Sequence, residues 1–144
     1  MTAGTKFQSG AALRGNYVLV SADTLNLLLP QHEVGAAEYL EGPLEATDEP
    51  GLLKLTGTES SQRFAVLSTR MTLLPHCPPE RFLVTALGEG KDHLGWCWNE
   101  LKILIDVELQ PQPLPAVLLT PSTPVDQYVE FAGKLAYPCS AHRL

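Results

Sequence analysis

Apolar residues recur in short bursts along this chain, four to seven residues long, with turn-forming residues between them. Residues 17–21 and 24–29 are two such bursts, separated by Ala22-Asp23 and closed by Pro30. Proline cannot donate to a central ladder, so Pro30 ends the second one. Residues 51–56 and 63–68 form a further pair around a polar segment. Residues 82–87 and 93–99 flank Gly88-Glu-Gly-Lys-Asp92, and this arrangement predicts a β-hairpin. Residues 128–137 supply the last strand or strand pair, with Gly133 as a bulge or turn. The result is seven or eight short strands spaced about 8–12 residues apart, the signature of a sandwich or barrel.

The stretches between these bursts are less regular. Residues 32–40 suit either a short helix or an irregular strand. Residues 38–51 are acidic and hold Gly42, Pro43, Pro50 and Gly51, which predicts a loop. Residues 71–80 contain Pro75, Pro78 and Pro79 and form a stiff connector. In residues 101–109, Ile103, Ile105 and Val107 alternate with Leu104, Asp106 and Glu108, which favours a strand in the second half. Residues 110–124 hold five prolines and predict a loop. Residues 1–16 are small and polar, a flexible tail, and residues 138–144 form a second tail.

Composition narrows the function classes. The hydrophobic fraction is 44%, enough for a core, while charged residues make up only 18%. The net charge is −6 and the ten Lys and Arg are scattered, so there is no basic stripe for nucleic acid or an anionic membrane. No apolar run approaches the length of a membrane span, and residues 1–16 lack the apolar centre of a signal peptide. Three cysteines without a secretory signal point to reduced thiols and a cytoplasmic setting.

Candidate chemistry is thin. His76, Cys77, His93 and Cys97 invite a zinc reading, which needs four ligands within about 2.0–2.3 Å of one point. On a strand, however, His93 and Cys97 stand about 13 Å apart. No Gly-x-Ser-x-Gly elbow occurs, and a thiol dyad between Cys77 and a distant histidine stays open. Gly88-x-Gly90 lacks the third glycine of a dinucleotide loop and suits a turn. Glu45, Asp48 and Glu49 fall in a loop, as a solvated acidic face. Arg63 and Arg70 flank a strand, either as solvated ends or as steering charges for an acidic partner. Trp96 and Trp98, with Leu94, share one face of a strand, and Gly95 and Cys97 share the other. The tryptophans are either core or a partner-binding surface. No metal, cofactor or catalytic residue is expected, and the chain is not expected to be an enzyme.

The order of the apolar segments resembles the CheW-like domain of chemotaxis coupling proteins over about residues 17–137. The opening pair, Tyr17-Val-Leu-Val20 and Leu25-Asn-Leu-Leu-Leu29-Pro30, is similar to the family's first strands and Leu-Pro turn, with Val34 in the hydrophobic segment that follows. Gly51-Leu-Leu-Lys-Leu-Thr-Gly57 stands where the family has a Gly-φ-φ-x-φ-Arg-Gly strand, and Phe64-Ala-Val-Leu-Ser68 where it has φ-Pro-Val-φ-Asp-Leu. Gly95-Trp-Cys-Trp-Asn-Glu-Leu101 resembles Gly-φ-φ-φ-Asp-x-Val, and Leu114-Pro115 with residues 129–137 resembles the closing segment. Thr56, Ser68 and Asn99 depart from the family's Arg, Asp and Asp.

The resemblance implies an all-β fold of two small intertwined five-stranded β-barrel subdomains with short helical segments in loops. The first barrel would cover about residues 17–75 and the second about 76–137, with strand exchange. It implies a non-catalytic adaptor that meets receptor-like or histidine-kinase-like signalling proteins. The three departures point to a diverged adaptor in a pilus-type or other non-chemotactic pathway. The matched positions Val34, Gly57 and Val66 are then partner-binding candidates, joined by Trp96 and Trp98 from the strand pattern alone. The alternatives are an all-β small-ligand sensor with a tryptophan-lined pocket and a thiol- or zinc-dependent hydrolase.

Overall fold

The computed structural model describes residues 13–57, 62–87, 94–114, 125, 127–131 and 133–139. In chain order the strands are β1 (Leu13–Ala22), β2 (Leu25–Pro30), β3 (Glu38–Tyr39), β4 (Leu44–Ala46), β5 (Leu53–Leu55), β6 (Arg63–Val66), β7 (Leu83–Ala86), β8 (Leu94–Trp98), β9 (Glu100–Leu109), β10 (Gln112–Pro113), β11 (Gln127–Phe131) and β12 (Lys134–Pro138). A single 3-10 turn, Gln31–Glu33, follows β2.

These strands form two six-stranded sheets. The first runs β10-β11-β12-β2-β1-β9 and the second β3-β7-β8-β6-β5-β4. Most neighbours are antiparallel, but β12 pairs with β2 and β6 pairs with β8 in parallel. The first sheet thus joins the two ends of the described chain, and the second is built from its middle. The expected boundary near residue 75 falls in the connector between β6 and β7, both strands of the second sheet. Among the described residues the hydrogen-bonded order of each sheet is open at both edges, and each has six strands rather than five. β1 begins at Leu13, so residues 13–16 belong to a strand and not to a tail. Cys139 is buried and its N–H bonds the carbonyl of Leu28, so the chain stays anchored past residue 137.

Strand alternation sorts the apolar side chains into three clusters. Val18, Val20, Leu27 and Leu29 from the first sheet meet Ala65, Leu67, Trp96 and Trp98 from the second. The opposite face of the first sheet buries Leu19, Leu28, Leu104, Leu109, Val129 and Ala136. The opposite face of the second buries Leu53, Phe64, Val66 and Cys97, with Leu40, Leu44, Leu55, Leu74, Cys77 and Val84 against them. Each sheet therefore covers a cluster of its own, and the two meet back to back over a third.

The predicted hairpin forms as expected, with Leu83 opposite Trp98 and Ala86 opposite Gly95. β9 is strand over its whole length, but its register against β1 shifts between Gly15 and Tyr17. Asp106 there has a φ of 52° and its N–H donates to Asn16 Oδ1 at 2.7 Å. This bulge inverts the alternation. Leu104, Val107 and Leu109 face the cluster, and Ile103 and Ile105 face outward.

Candidate functional site

A groove of about 680 Å³ lies on the face of the second sheet turned away from the first. Its floor is apolar, from Phe64, Val84, Ala86 and Leu55, and its rim carries Glu38, Tyr39 and Glu41. Gly95 lies in the floor because nothing larger fits. A Cβ there would stand 2.6 Å from Val84 Cγ1 and 3.2 Å from Phe64 Cδ2.

One wall of this groove is a strand that runs in and out of register. The Gly35 N–H bonds the Ala86 carbonyl at 2.8 Å, and the Leu40 N–H bonds the Phe82 carbonyl at 2.8 Å. Between those points only β3 pairs with β7. The result is a short sheet edge, and Tyr39 stands on it 74% exposed. Its ring stacks on that of Phe82, itself 45% exposed, with centroids 6.1 Å apart and planes at 9°. Two stacked, solvent-facing aromatic rings thus stand beside an apolar groove.

The five residues singled out from sequence do not gather here. Gly57 lies in an exposed turn after β5, and its φ of 80° is why that position is a glycine. Val34 is half-buried, bridged to Leu87 and packed on the inter-sheet cluster. Val66 has no exposed surface and faces the cluster inside the second sheet. Trp96 and Trp98 lie on the opposite face, stacked with centroids 6.4 Å apart inside the inter-sheet cluster. Trp98 Nε1–H donates to Thr85 Oγ1 at 2.9 Å, so its polar edge is satisfied within the core. Val66 and Trp98 therefore present no exposed surface in this fold. The tryptophans take the core reading, and a tryptophan-lined pocket is not where the groove lies.

A polar node at the β1–β2 turn was not foreseen. The Arg81 side chain is fully buried, and its Nη2 donates to Asp23 Oδ2 at 2.9 Å. Asp23 sits in the β1–β2 turn with a φ of 59°. Its N–H donates to Asn99 Oδ1, and Asn99 Nδ2 donates to the Glu80 carbonyl at 3.2 Å. The Asn99 N–H in turn bonds the Ser21 carbonyl at 2.8 Å. The Arg81 guanidinium holds the Asp23 carboxyl below the usual carboxylate range by its hydrogen bond, against partial desolvation, with help from its charge and from Asn99. This node ties the first sheet's turn to the connector and to the β8–β9 junction. Nothing in the sequence pairs positions 23 and 81. Only the turn signal at Asp23 was visible.

Of the candidate ligands of the zinc reading, Cys77 and Cys97 share one apolar cluster. Among the described residues no group of three or more His, Cys, Asp or Glu side chains could hold a metal ion, and His93 and the glycines at 88 and 90 lie outside those residues. Glu45, Asp48 and Glu49 line a second, polar recess with Lys54 and Arg63, and Lys54 Nζ stands 3.5 Å from Glu45 Oε2. No helix among the described residues is long and apolar enough to cross a membrane. No protein-family model matches this chain, and no curated protein matches it either.

Proposed function

We propose that the chain is a non-catalytic, CheW-like adaptor of a bacterial signal-transduction pathway, of chemotaxis or pilus type, acting in the cytoplasm through protein–protein contacts. The observation that carries this reading is the stacked Tyr39–Phe82 pair on a sheet edge beside an apolar groove. Aromatic side chains are enriched at binding hot spots, and a sheet edge offers unpaired backbone groups to an incoming strand. The layout supports it too. Strands from both chain ends share one sheet, the middle forms the other, and each covers its own apolar cluster, as two intertwined barrels would. Among the matched positions, Gly57 keeps its exposed place and remains a partner-facing candidate. Tyr39 and Phe82 take the place of Val66, Trp96 and Trp98.

The test is a photo-crosslinking residue placed at Tyr39, and separately at the exposed Leu135 of the first sheet, in cells of the source organism. The expected result is an adduct to a receptor-like or histidine-kinase-like protein from position 39 and none from position 135. Addition of Phe82→Asp should abolish it. Equal adducts from both positions, or none from position 39, would overturn the adaptor reading.

The groove volume favours one second reading, a small-ligand sensor. At about 680 Å³ it lies within the range of small-molecule sites. Its two rim carboxylates suit a ligand with an apolar body and a cationic group. Native mass spectrometry of protein purified from the source organism separates the two: a retained small molecule, lost with Ala86→Trp, supports the sensor.

A further inference from the structure

Two of the three thiols meet on the face of β8 opposite the tryptophans. Cys97 is buried among Leu53, Phe64 and Val66. Cys77, half-buried in the proline-flanked connector, packs on the same cluster. Backbone bonds hold the connector there. The Leu74 N–H bonds the Val66 carbonyl at 2.8 Å, and Val66 is the register partner of Cys97 in the parallel β6–β8 ladder. The Cys77 thiol reaches the carbonyls of Arg81 at 3.5 Å and Pro78 at 3.6 Å, and its side chain packs against the cluster that holds Cys97. Arg81 lies alongside with its side chain fully buried, and its Nη1 has no hydrogen-bond partner among the described residues. A buried guanidinium with one uncommitted nitrogen favours a negative charge beside it.

We propose that Cys77 and Cys97 form a peroxide-reactive dithiol, in which Cys77 attacks, Cys97 resolves, and oxidation closes a disulfide between the connector and β8. Each residue has the property its step needs. Cys77 is the more exposed of the two. Its thiol is pushed below the ordinary range chiefly by the hydrogen bond from Cys97, against desolvation and with help from the Arg81 charge. Cys97 is pushed up, chiefly by that same hydrogen bond and then by burial, so it keeps its proton until Cys77 has reacted. Cys139 lies apart from this pair, buried within the inter-sheet cluster, where a thiol behaves as a small apolar side chain.

The chemistry balances with hydrogen peroxide as the oxidant. The Cys77 thiolate attacks one peroxide oxygen, the O–O bond breaks, and the departing hydroxide takes the proton that Cys77 gave up, forming the first water. Cys77 is left as a sulfenic acid. The Cys97 sulfur then attacks the Cys77 sulfur and the S–O bond breaks. The hydroxide that leaves combines with the Cys97 proton as the second water. Two electrons pass from the sulfurs to the peroxide, and one S–S bond forms.

The test treats the reduced full chain with stoichiometric hydrogen peroxide, quenches by alkylation, and maps the products by mass spectrometry. The expected product is two hydrogens lighter, with Cys77 linked to Cys97 and Cys139 alkylated. Cys77 should react faster than free cysteine, the direction expected from a lowered thiol. Cys97→Ser should stop at a dimedone-trapped sulfenic acid on Cys77. Cys77→Ser, shown to be folded by its tryptophan fluorescence, should leave Cys97 unreacted. Oxidation first at Cys139, a Cys77 rate equal to that of free cysteine, or no Cys77–Cys97 link would each overturn the proposal.

Discussion

At the scale of single residues, this fold depends on a few side chains with no freedom to change. Arg81 is one, because its buried guanidinium relies on Asp23 for compensation. Asp23→Asn should cost about 1–3 kcal/mol, mostly by stranding that cation, read as a lowered urea midpoint. The pair also sets a pH dependence. Because the folded Asp23 carboxyl is held below its unfolded value, its contribution is complete above the ordinary carboxylate range and is lost as pH falls through the lowered value. Wild type should therefore lose thermal stability between pH 5 and pH 2 more steeply than Asp23→Asn, in paired melts across that range. An equal slope in both proteins would show that the pair contributes nothing. Gly95 is the second such residue. Gly95→Ala puts a methyl group against Val84 and Phe64 and should cost about 1–3 kcal/mol of overpacking, measured by chemical unfolding. Little of this was legible in the sequence. Gly95 could be placed on a strand face, but the ring pressing on it could not. Asp23 and Arg81 are 58 positions apart in ordinary turn and connector contexts.

At the scale of elements, legibility followed length and regularity. The β7–β8 pairing could be read because both arms are apolar and a Gly-rich segment separates them in the sequence. β1 and β2 could be read because a strand pair ends in a proline. β4 could not, since three residues in an acidic, turn-forming stretch carry no periodicity, and the two residues of β3 fell in a segment that suited either a short helix or an irregular strand. The Tyr39–Phe82 surface was missed for the same reason, because it depends on the pairing of β3 with β7. β9 was half-read. Its alternation was visible, but the bulge at Asp106 reverses which residues face inward. Ile103 and Ile105 are consequently exposed, at 54% and 61%, on the edge strand of the first sheet. Arg14 pairs with Asp106 and Glu108 next to them, at 3.2 and 3.1 Å. Charged side chains and bulges both blunt an edge against pairing with another chain. Replacing Ile103 and Ile105 by Lys should change stability by less than about 0.5 kcal/mol and should raise the concentration at which the protein stays monomeric in light scattering. A large loss of stability would mean that these side chains are covered.

At the scale of the whole molecule, the all-β class and its short strands were written in the frequency of breakers and the low charge, but the division between the sheets was not. A boundary near residue 75 is natural for a chain read from one end to the other. The molecule instead pairs β1 with β9 and β2 with β12. Apolar periodicity marks which face of a strand is buried but carries no information about which distant strand lies beside it. The inter-sheet cluster draws residues from both sheets, including the two tryptophans. Unfolding should therefore be a single transition, with tryptophan fluorescence and far-ultraviolet circular dichroism coinciding, and two separated transitions would show that the sheets hold independently. The same interleaving bears on how the protein is made. As the chain leaves the ribosome, the β1–β2 hairpin emerges ahead of the rest of its sheet, with Val20, Leu27, Leu28 and Leu29 destined for full burial. Its neighbours on either side, β9 and β12, follow only after the whole second sheet has been translated. Until then that hairpin has both flanks open, and a nascent chain stalled before residue 100 holds an apolar ribbon whose Leu19 and Leu28 face has no cover. Long-range strand pairing of this kind is slow and exposed to aggregation, so β1 and β2 are where a chaperone that binds emerging chains has most to do.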